Sequence, residues 1–481
     1  MEKILVGQHK KFCLFLFFFA LLIRVLFFGL YLCEGERSII QFDGQQYQNV
    51  AENIIAGYGV AQAPGVPNFY RLPGYPMFLA LCYKIFGVQN LDPEKIEQEK
   101  IEKNEKALWV QLVLASVIPV LVFLLSLILL PGYLGLAKVA GLWAAVHTGF
   151  ILYAGMLASE SLFLIFFLLF MCLFFSQFYT WLEYTNNPPK FSCLSWVSIG
   201  FILGIASLLR AVGHYIIILL ILMMLIAGFS QKEKIKSLGL LFLGWLSVVG
   251  WWLARNYFLT GFMFFHVLPG LHFLQYPAVH AIMGYSNFGD SAYFETKKQV
   301  LAEWDDLIKQ QELLEHRTLN EYERYAVAEQ LAFSHLKQRP VIALKNGITQ
   351  IVRSCCTLYS SLLLYVPAGT VYEKDASLWF KIKLYLSPKT HEPWIIWLVY
   401  WEVIYFLFMC VGLLIFCIRL FWDQTYRILA LKTFPIIGLF IFITLGYGCA
   451  RLRFPIEPLL IIISLVGLQS LVYPILRKKK S

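Results

Sequence analysis

Phe12-Cys13-Leu14-Phe15-Leu16-Phe17-Phe18-Phe19-Ala20-Leu21-Leu22 opens an apolar run that continues to residue 33. About 20 apolar residues in a helix cross the ~30 Å hydrocarbon core of a bilayer. The run follows Lys10 and Lys11 and lacks a small-residue cleavage site, so it reads as an uncleaved membrane span. Further apolar runs lie near residues 107–130, 136–153, 161–181, 196–209, 212–229, 238–257, 394–421, 428–447 and 455–476. Of 481 residues, 59% are hydrophobic and only 15% charged, a balance that soluble domains do not carry. The expected fold class is therefore all-α: a polytopic transmembrane helical protein of about 10–12 spans with helices in its outer-face loops.

The formal charge of +10 raises nucleic acid as a partner, but the basic residues fall in short runs at helix ends, as at Lys232, Lys234 and Lys236 or from Arg477 to Lys480. That is how cytoplasmic ends anchor beside anionic lipid, and nucleic acid is not needed to explain it. The same bias puts the N-terminus, Lys138, residues 186–190, residues 419–432 and the basic tail on the cytoplasmic side. The run 341–366 is apolar enough for one more helix, yet a single extra crossing would turn the basic tail outward. It reads as an interfacial or half-inserted helix. The chain then divides into a transmembrane catalytic module, 1–258, with a first outer loop 34–106. An outer-face region, 259–393, and C-terminal helices, 394–481, follow. Asp92 with Pro93 predicts a helix start in the first loop, whose mixed Lys/Glu face reads as solvated. In the outer-face region, Leu301, Trp304 and Ile308 stand at helical spacing. Ten cysteines, among them Cys172, Cys410, Cys417 and the neighbours Cys355 and Cys356, show no metal-like spacing and read as small buried hydrophobes.

The chemistry-bearing residues gather in outward segments. Just past the first span stands Gln41-Phe42-Asp43-Gly44-Gln45-Gln46-Tyr47, and soon after it Arg71-Leu72-Pro73-Gly74-Tyr75-Pro76. A carboxylate at a bilayer boundary is costly unless paired, so Asp43 is either a structural partner of an arginine or a functional acid. Glu160, in Ala158-Ser159-Glu160-Ser161, poses the same choice. The two carboxylates could also hold a divalent ion through oxygen ligands, although no spacing demands one. Arg71, Arg210, Arg255, Arg451 and Arg453 all fall on the side where basic residues are disfavoured. One such arginine usually snorkels or pairs, but several that converge would bind phosphate in bidentate fashion. Pro64, Pro67 and Pro73 stiffen a loop able to present Arg71 toward Asp43. Tyr47 and other outer aromatics suit an interfacial belt and would also pack sugars or isoprenoid chains. No P-loop, GxGxxG or HExxH motif occurs, which argues against direct use of a nucleoside triphosphate or dinucleotide. The donor would then come from the membrane.

In this order of motifs the chain resembles the C-type integral membrane glycosyltransferases, most closely their protein-mannosyltransferase and aminoarabinose-transferase branch. The stretches that carry the resemblance are Phe42-Asp43-Gly44-Gln45-Gln46-Tyr47, Arg71-Leu72-Pro73-Gly74-Tyr75-Pro76, Leu157-Ala158-Ser159-Glu160-Ser161, Leu208-Leu209-Arg210, Arg255-Asn256-Tyr257 and Arg451-Leu452-Arg453-Phe454-Pro455. The resemblance implies a polyprenyl-phosphate-linked sugar donor and an acceptor on a protein, glycolipid or polysaccharide. It implies Asp43 as general base on the acceptor, Glu160 as the second acid, and a metal at these two acids if one is used. Arg71 would lie near the donor phosphate, with Tyr47, Arg210, Arg255, Arg451 and Arg453 as further substrate contacts. The setting implied is a bacterial inner membrane with the site facing outward, or the endoplasmic reticulum in a eukaryote. A segment at 92–106 departs from the family pattern, as does the lack of a large C-terminal soluble domain that would indicate the acceptor. In-line attack would invert the anomeric centre. A polyprenyl-phosphate transporter or flippase without transferase activity is the alternative, but such proteins favour repeats and midplane charges. A non-catalytic scaffold is a third reading.

Overall fold

In a computed structural model of the chain, residues 2–32, 43–86, 96–183, 193–226, 231–285, 291–365 and 393–478 are described. The Asp92–Pro93 helix start, residues 186–190 and Phe42 lie outside them. Helices make up nearly all of the described structure, and the one hairpin pairs strands Ala61–Ala63 and Val66–Pro67. Among the described residues, seven helices are long and apolar enough to cross a membrane: His9–Leu30, Glu102–Leu129, Glu160–Phe178, Gln231–Thr260, Pro393–Arg419, Gln424–Ile443 and Ala450–Leu471. Three shorter apolar helices, Leu134–Val146, Cys193–Leu209 and Val212–Met224, cover the remaining runs read from the sequence. The chain is an integral, multi-pass membrane protein.

Many apolar side chains face outward, as a hydrocarbon solvent allows. On the first span Leu14, Phe18, Leu22, Leu26 and Leu30 form an exposed stripe, while Leu16, Ala20 and Phe28 are buried. The second long span is interrupted, with helices Ile96–Ala115 and Ile118–Leu129 meeting at a turn. Pro119 lacks the N–H that a continuous helix would need there, and Ser116 Oγ donates to the Leu112 carbonyl at 2.9 Å.

The residues fall into two compact units. The first comprises Met1–Trp251, Phe406–Ile437 and Pro455–Ser481. Within it, Ile118–Leu129 packs on Leu134–Val146 and Glu160–Glu183, and Glu160–Glu183 packs on Cys193–Leu209. Lipid supplies no hydrophobic drive between helices, so close backbone approach matters. A Cβ on Gly200 would fall 1.9 Å from the Leu241 carbonyl oxygen, and one on Gly244 2.1 Å from that of Val197. His147 and Glu457 meet at 3.6 Å in this unit, both buried.

The second unit comprises Trp252–Tyr405 and Gly438–Phe454. Helices Ser291–Glu315 and Glu321–Gln338 form its amphipathic pair. The core includes Leu274, Val279, Val300, Ala328 and Leu331, with Trp304 and Leu307 packed against it. Asn320 opens the second helix with a reciprocal cap: its side chain accepts from the Glu323 N–H, and Glu323 accepts from the Asn320 N–H. Helix Pro340–Cys356 has reversed polarity: it exposes Val341, Leu344, Ile348 and Val352 and buries Asn346, Gln350 and Ser354.

Two expectations need correction. The Lys/Glu face at the end of the first loop is not wholly solvated, because Lys103 is only 4% exposed and bonds Glu52 at 2.6 Å, while Asn104 is buried. A buried ammonium needs such a partner. Among the cysteines, Cys82 and Cys172 are buried, but Cys355, Cys356, Cys410 and Cys417 lie on the surface. Cys410 and Cys417 lie on the apolar helix Pro393–Arg419, where a lipid-facing thiol needs no burial to avoid water.

Candidate active site

Asp43 sits at the N-terminal boundary of helix Gly44–Ile55, where a short polar residue commonly caps the first N–H groups. Its side chain makes no such cap. Instead Oδ1 meets Arg71 Nη2 at 2.5 Å. Arg71 Nε donates to Gln46 Oε1 at 2.7 Å, so the guanidinium spans two acceptors one turn apart on the same helix. The hairpin explains how Arg71 arrives there. Gly65, with φ 76°, follows Pro64 in the tight turn between the two strands, a conformation glycine adopts without a steric cost. Beyond it, buried Asn68 clamps the Arg71 backbone, donating to its carbonyl at 2.6 Å and accepting from its N–H at 3.2 Å. The guanidinium carbon also lies 4.6 Å from the Tyr70 ring centre and 5.4 Å from that of Tyr47. Burial raises the Tyr70 phenol above its ordinary pKa, with Arg71 pulling the other way, so Tyr70 stays neutral.

Glu160 begins helix Glu160–Glu183, where the helix dipole favours a negative charge. Its carboxylate is fully buried and paired with Arg210 Nη1, whose side chain is 16% exposed. Arg210 follows helix Cys193–Leu209, and its N–H still bonds the Ala206 carbonyl at 3.0 Å, which holds the residue at the helix end.

Two contacts tie these ion pairs together. Tyr47, in the first turn after Asp43, has its hydroxyl 3.4 Å from the Ser159 hydroxyl, next to Glu160. Gly74, three residues after Arg71, lies so close to the other arginine's segment that a Cβ would stand 2.7 Å from the Leu208 carbonyl oxygen. The first unit thus gathers Asp43, Tyr47, Arg71, Glu160 and Arg210. The remaining sequence-derived residues belong to the second unit. There Arg255 donates to Asn256 at 2.9 Å and stacks 4.6 Å over Trp252. Arg453 is buried and donates to the Ser354 and Cys355 carbonyls at 2.6 and 2.7 Å. Arg451 is half-buried.

Asp43 and Glu160 stand in separate ion pairs. Each is charge-matched by an arginine, and among the described residues no group of three or more His, Cys, Asp or Glu stands close enough to hold an ion. Sequence reasoning missed several polar groups that bond one another or the backbone within each unit. Glu52 accepts from Lys103 at 2.6 Å and from Gln48 at 2.9 Å, and Asn104 donates to Gln48 at 3.0 Å. In the second unit, Glu402 accepts the Tyr359 and Ser360 N–H groups, each at 2.7 Å. A lone amide or acid inside an apolar run was the available signal, since such a group must find a partner.

No family model matches the sequence, and no curated protein matches it. Among solved structures, the chain is similar to the Archaeoglobus fulgidus oligosaccharyltransferase tethered to an acceptor peptide containing the NVT sequon, at 15% identity and a TM-score of 0.50, over 96% of this chain and 50% of that one. The fold is C-type glycosyltransferase-like. That likeness extends over about half the length of the archaeal transferase. Weaker likenesses join this chain to the same archaeal enzyme in complex with an inhibitory peptide and a dolichol-phosphate (15% identity, TM-score 0.49, 98% of this chain and 52% of that one). They also join it to ArnT from Cupriavidus metallidurans bound to undecaprenyl phosphate (12% identity, TM-score 0.39, 98% and 79%). In this C-type glycosyltransferase-like frame, both acid–arginine pairs lie at helix termini of the first unit.

Proposed function

We propose that this protein is a glycosyltransferase that moves a sugar from a polyprenyl-phosphate donor to an acceptor hydroxyl, on the periplasmic or lumenal membrane face and with inversion. The observation that carries the reading is the Asp43–Arg71 pair, 2.5 Å apart, within a C-type glycosyltransferase-like fold. The acceptor oxygen attacks the anomeric carbon as the bond from that carbon to the phosphate oxygen breaks. Polyprenyl phosphate leaves, and Asp43 takes the acceptor proton. Arg71 stabilises the charge that develops on the phosphate, an interaction whose loss typically costs about 2.7–4 kcal/mol of barrier. An incoming phosphate competes with Asp43 for the same guanidinium. Donor binding therefore loosens the pair, and the freed carboxylate is the stronger base. Arg210 supplies a second positive group, with Glu160 holding it in place. Arg255, Arg451 and Arg453 and a more specific sugar-transfer branch belong to the same proposal.

Asp43→Asn tests it. The substitution keeps the shape and the contact to Arg71 but removes the base, so transfer of label from a polyprenyl-phosphate sugar should fall by about 10²–10⁴-fold. Donor binding should persist. Undiminished transfer by the variant would sink the assignment of Asp43, and lipid translocation without any transfer by the intact protein would favour the transporter.

A further inference from the structure

We infer that Gln111 is a positioning residue, whose side-chain amide sets the placement of the turn before Glu160 relative to the helix that begins at Asp43. The inference rests on the reading that these two acids serve one site. Gln111 lies in helix Ile96–Ala115, is fully buried, and is a lone amide among Leu108, Trp109, Val110, Leu112 and Val113. An amide in such surroundings is costly unless both its ends are bonded.

Both ends are bonded, and to different elements. Gln111 Oε1 accepts the Tyr75 hydroxyl at 2.8 Å. Gln111 Nε2 faces the carbonyls of Tyr153, Ala154 and Met156 at 3.1, 3.1 and 2.8 Å. Two N–H bonds shared among three acceptors hold the whole turn and fix which way the amide points. That turn leads directly into Ser159 and Glu160. Tyr75 carries the connection the other way, since its ring meets Tyr47 edge-on with centroids 4.9 Å apart. Tyr47 then returns to Ser159 through the hydroxyl contact at 3.4 Å. The ring of contacts closes: Gln111, Tyr75, Tyr47, Ser159, the turn, and Gln111 again. Asp43 joins it through the helical bond from the Tyr47 N–H to its carbonyl at 3.1 Å, and Arg71 through the Tyr47 ring. Gln111 touches none of the proposed reacting groups, yet it bridges the elements that present them.

The test uses the full chain in detergent micelles. Gln111→Met keeps the side-chain length and deletes the bonds at both ends of the amide, whereas Tyr75→Phe leaves the Nε2 bonds and removes the hydroxyl that bonds Oε1 and meets the Ala158 backbone. Hydrogen exchange of residues 153–160, read by mass spectrometry, should quicken about tenfold in Gln111→Met and less in Tyr75→Phe. Binding of undecaprenyl phosphate, used as the probe, should weaken about tenfold in Gln111→Met. Unchanged exchange in 153–160 overturns the inference. Faster exchange with binding equal to that of the unaltered chain also overturns it, because the turn would then move without consequence for the site. If Gln111→Met does not fold, Gln111→Asn, which keeps an amide but draws it back from the turn, decides by the same two readouts. Failure of the unaltered chain to bind undecaprenyl phosphate overturns the proposed function instead, and the exchange result alone then decides the role of Gln111.

Discussion

At the residue scale, the two ion pairs differ in burial, and burial decides what each arginine is worth. Asp43 and Arg71 keep 22% and 12% side-chain exposure, so water can reach them. Glu160 is fully buried. Removing the partner of a buried charge strands it in a medium that solvates it poorly, at a typical cost of 3–5 kcal/mol. Arg210→Ala should therefore destabilise the protein by about 3–5 kcal/mol. The double variant Glu160→Leu/Arg210→Met should recover most of that loss, because it leaves no uncompensated charge. Denaturant unfolding of the purified protein in detergent measures both, and a single variant as stable as the parent would refute the argument.

At the element scale, the site depends on how closely two helix termini approach. Gly74 opens helix Gly74–Ile85 against the end of helix Cys193–Leu209, and the atoms nearest an added Cβ are backbone atoms of Leu208 and Leu209. Backbone cannot rotate away as a side chain can, so Gly74→Ala must push the segments apart. Overpacking of this kind costs about 1–3 kcal/mol. The displaced segments carry Arg71 and Arg210, so the proposed transferase activity should fall even when the variant is fully folded. Activity assayed well below the unfolding midpoint checks this, and parental activity there would show that the close approach is not needed.

At the scale of the whole molecule, stability is coupled to pH through a buried histidine in the second unit. Burial, reinforced by the positive charge of Arg353, lowers the His280 pKa from 6.5 to about 4. The folded protein holds His280 neutral at pH 7, while the unfolded chain takes up a proton near pH 6.5. Unfolding thus binds a proton between these values, and stability falls as pH drops from about 6.5 to about 4. Above that window the contribution is fully present; below it the loss is complete. His280→Leu should flatten this part of the stability profile, measured by denaturant unfolding across the same pH range. An unchanged slope would assign the acid sensitivity to other groups.

The sequence by itself determined the membrane class, the position of each apolar span and the acid and arginine residues worth testing. Those properties depend on local runs and on the cost of charge near hydrocarbon, which one-dimensional reading captures. It also placed helix-forming periodicity at Trp304 and Ile308, on helix Ser291–Glu315. Tertiary structure alone decided which acid meets which arginine. Arg71 reaches back 28 positions to Asp43, and Arg210 reaches back 50 to Glu160, separations over which no periodicity acts. It alone decided that Lys103 turns inward, that Arg453 binds backbone carbonyls, and that Gln111 joins two elements. The reason is physical: a buried polar group is satisfied by whatever the fold brings within about 3 Å, and chain order does not encode that distance.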